Sequence, residues 1–265
     1  MNTTDISFLC LAGGLLLMFV PLFFLWRLRT GLVRSTLISV GRMCVQLFLI
    51  GVYLRYLFLW DNPWVNLLWV VMMVWVASHT AVVRTNLQRR VLFAPVFVAF
   101  LVTALLVGLY FLMMLRPAEQ LFGAQYFIPI MGILLGNMLT VNVVALETYY
   151  SDMHREQQMF YYLLGNGASL YEATAPFLKN AVIKAFSPCI ANMAVLGVVS
   201  LPGTMIGQIL GGSLPGVAVK YQIMITIITF VASMLSLMIT VTLSARRTFD
   251  AYGRMKSVFR NEKHK

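Results

Sequence analysis

The side chains in this chain that could do chemistry are polar groups set into apolar runs. Arg42 and Gln46 lie four residues apart, which puts them on one face of a helix. Asn137, Asn142 and Asn192 sit well inside other apolar stretches, and Ser200-Leu201-Pro202-Gly203 interrupts a further one. Polar groups are expensive in hydrocarbon and usually face a bundle interior or a water-filled path. Irregular backbone at that depth is tolerated only where it is buried in protein or lines a cavity. The chemistry on offer is therefore solvation, hydrogen bonds presented to a solute inside a bilayer. Two readings stay open. The asparagines line a path or bond helices together, and Arg42 either snorkels to headgroups from about two turns inside its helix or gates the path with Gln46.

Bond-making chemistry has no visible residues, and no catalytic residue is assigned. The chain has no Walker A sequence, Gly-x-Ser-x-Gly, His-Glu-x-x-His or Asp-rich metal loop, the motifs that would place phosphate, nucleophile or metal. His79, His154 and His264 are scattered, and Cys10, Cys44 and Cys189 lie in apolar segments without metal-ligand spacing, as small buried hydrophobes do. Met131, Met138, Met205 and Met224 are soft donors, but methionine in an apolar bundle mostly packs. No metal ligand is singled out. Asp5, Asp61 and Glu119 fall outside the apolar runs and Glu147 falls at the end of one, so no carboxylate near a bilayer centre is available to carry a coupled proton. Energy for driven transport is expected to come from a partner.

The elements that position these residues are membrane helices. The chain is 60% hydrophobic and 11% charged, far from the roughly 25% charge of a soluble domain. Its net charge of +11 sits in short loops between apolar runs, which fits the positive-inside rule and speaks against nucleic-acid binding. Seven spans are predicted, near Ser7–Trp26, Thr36–Trp60, Trp64–Val83, Val91–Leu115, Phe127–Leu146, Ala185–Gly212 and Val219–Leu243. Each of the unbroken spans has about the 20 residues a crossing needs. Three arginines follow the first span, none the second, three the third and one the fourth, and the tail from 246 to 265 is basic. The N-terminus is thus expected outside and the C-terminus in the cytoplasm. A cleavable signal peptide would show the opposite polarity. The fold class is an all-α polytopic membrane bundle, a single domain over residues 1–265, whose sixth helix is broken at Pro202-Gly203.

Three local features complete this reading. Gly132 and Gly136 form a GxxxG pair suited to close helix approach. A polar stretch from Glu147 to about Lys184, with its centre at 148–181, separates spans five and six on the basic side. Within it, Tyr161 to Ala173 combines aromatic side chains, a glycine turn at Gly165 and Gly167, and a capping box of Ser169 with Glu172. Such a short amphipathic helix lies on the membrane surface or docks into a partner's groove.

The runs SVGRMCVQLFLIGVYLRYLF (39–58), IPIMGILLGNM (128–138), LGNGASLYEA (164–173), LGVVSLPGTMIGQILGG (196–212) and VKYQIM (219–224) resemble the FetB (YbbM-type) family of ABC-transporter permeases. The resemblance covers nearly the whole chain. It implies a bacterial inner-membrane permease subunit implicated in iron export, with plant relatives tied to aluminium tolerance. It also implies a separate cytoplasmic ATPase that binds the ATP, no cofactor on this chain itself, and pairing of two copies. On this resemblance Gly165, Gly167, Glu172 and Ala173 belong to the loop that couples to the ATPase. Gln222, within the KYQ signature, joins Arg42, Gln46, Asn137, Asn142, Asn192, Pro202 and Gly203 as pathway or gating candidates. The segment 148–158 lies outside the recognisable pattern. Another metal complex, a small anionic substrate, a partner-independent channel or carrier, and a scaffold that only recruits a protein are the alternatives.

Overall fold

A computed structural model describes residues 7–85, 87–115 and 121–250. Expectations that rest on Asp5, on Arg116, Pro117 and Glu119, and on the tail beyond Asp250, including His264, lie outside the described residues. The fold is an all-α polytopic membrane bundle. Its helices are α1 (Phe8–Leu16), α2 (Phe19–Arg27), α3 (Val33–Trp60), α4 (Pro63–Arg84), α5 (Arg89–Leu115), α6 (Ala124–Arg155), α7 (Gln157–Gly165), α8 (Leu170–Val195), α9 (Gly203–Leu210) and α10 (Pro215–Thr248).

Among the described residues six segments are long and apolar enough to cross a membrane: Leu9–Arg27, which joins α1 to α2, and then α3, α4, α5, α6 and α10. A further passage follows from packing. Asn142 of α6 bonds Ser236 of α10, and Tyr150 bonds Ser244, both pairs 94 residues apart. A constant offset means that α6 and α10 run parallel, so the chain between them must return the length of the bundle. Helix α8 makes that return: its 26 residues reach about 39 Å at 1.5 Å per residue. Composition hides it, because Glu172, Lys179 and Lys184 fall within its first fifteen residues.

The boundaries here differ from the sequence reading. Helix α6 does not stop near Leu146 but runs on to Arg155, because Tyr149, Tyr150 and Met153 continue its buried face. Helix α8 begins at Leu170 rather than near Ala185, with Ala173, Phe177, Ala181 and Ala185 at helical spacing beneath its polar side chains. Most of the expected polar stretch is therefore helix. The break also lies earlier than Pro202-Gly203. It spans Leu196 to Leu201, where Gly197 takes φ +85° and its N–H donates to the Ser200 carbonyl at 2.9 Å. Pro202 is the N-cap of α9 and Gly203 its first residue, so this pair restarts a helix, where a missing proline N–H costs little.

The core lies among α4, α5, α6, α8 and α10. Helix α10 presents a stripe of small residues, Ala232, Ser233, Ser236, Thr240, Ser244 and Thr248, all buried. Small side chains let backbones approach in lipid, where no hydrophobic force draws helices together. Several of these hydroxyls donate back to their own helix, Ser233 to the Thr229 carbonyl at 2.7 Å and Thr248 to that of Ser244 at 2.8 Å. At the hairpin end Phe160 of α7 packs on Phe177 and Phe249. At the other end Asp61, in the left-handed region at φ 37°, accepts the Ala124 N–H at 2.7 Å. One turn away Asn66 Nδ2 donates to the Phe122 carbonyl at 2.8 Å. The α3–α4 turn thereby clasps the start of α6. Helices α1 to α3 are peripheral: α3 buries only Leu57, and it touches the core through Tyr53 stacked on Trp69 at 4.1 Å.

Candidate functional site

The parallel pair α6 and α10 lines a cavity of about 270 Å³ together with residues of α8 and α9. Three of the predicted polar residues meet there: Asn137 from α6, Asn192 from α8 and Gln222 from α10, joined by Thr204 of α9 and Thr226 of α10. Thr204 Oγ1 donates to Gln222 Oε1, Gln222 Nε2 donates to Thr226 Oγ1 at 3.1 Å, and Thr226 Oγ1 donates to the Gln222 carbonyl at 2.8 Å. This relay ties α9, the piece after the break, to α10. Asn137 spends Nδ2 on the Ile133 carbonyl at 2.9 Å, which leaves its amide oxygen for the cavity. The two sulfurs on the wall are Cys189 and Met193.

No charged side chain lines this cavity. Its donors and acceptors are amides and hydroxyls, which replace the hydration of a neutral polar surface but offset little of the cost of stripping a bare multivalent ion. Among the described residues no three His, Cys, Asp or Glu side chains converge as a metal site. A second, more apolar cavity of about 620 Å³ adjoins the first and shares Met193, Leu196, Gln222 and Thr226 with it. Leu201, Pro202 and Met205 complete its wall. The helix break thus faces a chamber that is polar on one side and apolar on the other.

The α7–α8 hairpin is the other built feature. Gly167 takes φ +89°, its N–H donates to the Leu164 carbonyl at 3.1 Å, and the Ala168 N–H donates to that of Leu163 at 3.1 Å. This is a Schellman ending, which requires the left-handed position that glycine fills without strain. The predicted capping box follows. Glu172 Oε2 accepts from the Ser169 backbone N–H and from Ser169 Oγ, each at 2.8 Å, and Ser169 Oγ accepts the Glu172 N–H at 3.4 Å. The Ser169 backbone N–H, followed by its hydroxyl, holds the Glu172 carboxyl below the ordinary carboxylate range. Tyr162 and Tyr171 flank this turn with relative exposures of 71% and 77%.

The uncharacterised protein family UPF0014 matches residues 8–249. The chain belongs to the UPF0014 family. It is 29% identical over 251 residues, 95% of each chain, to the probable iron export permease protein FetB of Escherichia coli. To the UPF0014 membrane protein YjkA of Bacillus subtilis it is 26% identical over 254 residues, 94% of this chain and 98% of that one. To the protein ALUMINUM SENSITIVE 3 of Arabidopsis thaliana it is 32% identical over 187 residues, 71% of this chain and 67% of that one. No solved structure matches it.

The remaining predicted residues of this UPF0014 chain separate by position. Asn142 is buried away from the cavity and bonds Ser236 Oγ at 2.8 Å, so it joins helices. Arg42 and Gln46 lie exposed on α3, outside the cavity wall. Ala173 is fully buried and packs the hairpin from within, whereas Gly165, Gly167 and Glu172 are exposed. Gly132 meets Met73 of α4, 3.3 Å from where a Cβ would sit, and Gly136 faces open space. Sequence reasoning missed Thr204 and Thr226 as lining residues, whereas Tyr162 and Tyr171 fall in the stretch whose aromatic side chains it singled out. Thr226 had a signal, since it follows Gln222 by one helical turn. Thr204 had none, because threonine in a membrane helix ordinarily bonds its own backbone.

Proposed function

We propose that this chain is the membrane-spanning permease subunit of an ATP-binding-cassette exporter that moves iron, carried as a complex, out of the cytoplasm of a bacterium. The observation that carries the reading is the uncharged chamber at the helix break, lined by α6, α8, α9 and α10. In support, a relative matched over 95% of its length is named as a probable iron export permease. A neutral wall argues for a chelate over a bare ion, because hydroxyls and amides coat a ligand shell without having to replace it.

In this reading the N-terminus lies outside, and the α7–α8 hairpin faces the cytoplasm and seats in a cleft on a separate ATPase. Tyr162 and Tyr171 supply contact area, while Gly167 and the Ser169–Glu172 box hold the turn rigid. Two copies assemble with two ATPase subunits in the cytoplasmic membrane. ATP is bound and hydrolysed on the partner, and closure of that partner moves α8 and α6, with residues 196–202 absorbing the change. Asn137, Asn192, Thr204 and Gln222 contact the cargo.

The test reconstitutes the chain with its partner ATPase in liposomes and follows ATP hydrolysis and ATP-dependent movement of ferric citrate. Tyr162→Asp with Tyr171→Asp should abolish assembly, because two charges enter an apolar contact. Asn137→Leu with Gln222→Leu should leave assembly and basal hydrolysis intact while removing stimulation by the iron complex. Movement of iron without ATP would overturn the exporter reading in favour of a channel. Unchanged transport by the cavity variant would remove the chamber from the path.

A further inference from the structure

We propose that the hairpin joining α2 to α3 is a binding site for the headgroup of an anionic phospholipid, independent of the transport reading. A groove of about 880 Å³ lies between these helices, lined by Trp26, Arg29, Arg34, Leu37 and Ile38 among others. Arg29 and Arg34 are exposed, and neither meets a carboxylate among the described residues, where the ion pairs lie instead around Arg155. Arg27, on α2, does not line this groove. Two guanidinium groups in one concavity match a phosphate, which arginine engages through paired N–H donors.

The backbone supports a site built for charge. Thr30 N–H donates to the Leu25 carbonyl at 3.2 Å and Arg29 N–H to that of Trp26 at 3.0 Å, the pair of bonds that closes a Schellman motif. Its left-handed residue is Arg29, at φ 50°, where glycine would be the relaxed choice and any other side chain costs on the order of 1 kcal/mol. A second closure follows, since Thr30 Oγ1 donates to the Leu25 carbonyl at 3.1 Å and accepts the Leu32 N–H at 3.3 Å. The turn therefore holds Arg29 in one place at a backbone cost.

The rest of the groove selects a lipid over a dissolved anion. Below the arginines the walls are Leu25, Leu37 and Ile38, which continue into the apolar surfaces of α2 and α3, where acyl chains lie. Trp26 is 67% exposed at the rim, the level at which tryptophan sits in a membrane interface. Basic pockets between membrane helices bind anionic headgroups in this way.

Native mass spectrometry of the full chain in detergent, titrated with phosphatidylglycerol and phosphatidylcholine of matched chains, tests the site. At about fivefold for each arginine near a headgroup, the wild type should favour phosphatidylglycerol by roughly 25-fold. Arg29→Gly with Arg34→Gln should bring that ratio close to one, and Arg29→Lys with Arg34→Lys should fall between. Arg29→Gly relaxes the turn, so its melting temperature should match or exceed wild type, and lost lipid retention cannot then be assigned to unfolding. Should the double variant fail to fold, Arg34→Gln alone carries the test with about a fivefold loss. An unchanged ratio in the variants overturns the site, and so does displacement of phosphatidylglycerol by millimolar inorganic phosphate, which would make a free anion the occupant.

Discussion

Replacing Asn142 with leucine separates an amide that joins helices from one that meets cargo. Asn142 is fully buried, with Nδ2 shared between the Met138 carbonyl and Ser236 Oγ, each at 2.8 Å, while Oδ1 is buried without a partner. Leucine of similar size removes one interhelical bond, worth about 0.6 kcal/mol on average in membrane bundles and about 1.7 at most. It also removes the orphan oxygen, whose burial costs about 1–3 kcal/mol. The terms oppose each other, so the change should fall between about 0.7 kcal/mol of destabilisation and about 2.4 kcal/mol of stabilisation. Asn137→Leu alters a half-used amide on the cavity wall, and it should leave stability nearly unchanged. The transport assay tells them apart, with Asn142→Leu retaining activity and Asn137→Leu losing it. Reversible unfolding of the reconstituted chain supplies the stability change. Destabilisation of Asn142→Leu beyond about 2 kcal/mol would refute the reasoning, because it would mean the amide is fully satisfied and the bond worth more than membrane hydrogen bonds are.

Two further predictions concern the hairpin. Gly167→Ala places a side chain at φ +89° and should destabilise the turn by about 1–2 kcal/mol, seen as faster amide exchange across residues 163–173, while Gly165→Ala, with open space around it, should be silent. The Ser169 N–H and hydroxyl depress the Glu172 carboxyl, so its contribution to the cap is present above the ordinary carboxylate range and is lost as pH falls through the lowered value. Amide exchange at the start of α8, referenced to a Glu172→Gln variant, should diverge from that variant at neutral pH and converge with it only in strong acid.

Much of the bundle was legible because hydrocarbon imposes a simple demand: apolar runs of fixed length with charges at their ends. Helix α8 was legible at its Ser169–Glu172 cap and from Ala185 on but not as one helix, since Lys179 and Lys184 read as loop while the small and aromatic residues beneath them carry the packing. Pro202 was read as the breaker because proline cannot continue a helix, yet proline is also at home where one starts, and the left-handed backbone that ends α8 lies at Gly197. Asn137, Asn192 and Gln222 could be chosen from their setting in apolar sequence. Their meeting point could not, because it depends on α6 and α10 being parallel. The contrast between Asn137 and Asn142 was within reach, since five residues turn a helix by about 140° past one full revolution, which puts the two amides on different faces. Arg42 and Gln46 do share a face, but nothing in the sequence says that α3 stands outside the core.

The bonds from Asn142 and Tyr150 to α10 lie on one side of the cavity, and the stretch of α6 from Ala124 to Ile133 lies on the other. The two parallel helices are therefore riveted to each other along one half only; along the other, α6 is held by the α3–α4 turn and buries Phe127, Met131 and Leu134. A relative rotation that keeps these bonds pivots near residue 142, and the 18 residues back to Ala124 form an arm of about 27 Å. A tilt of about 5° at the pivot becomes a stroke of about 2 Å at the tip. Through the grip of Asp61 on Ala124 that stroke is passed to the turn between α3 and α4, so a small adjustment beside the cavity is felt at the far edge of the molecule.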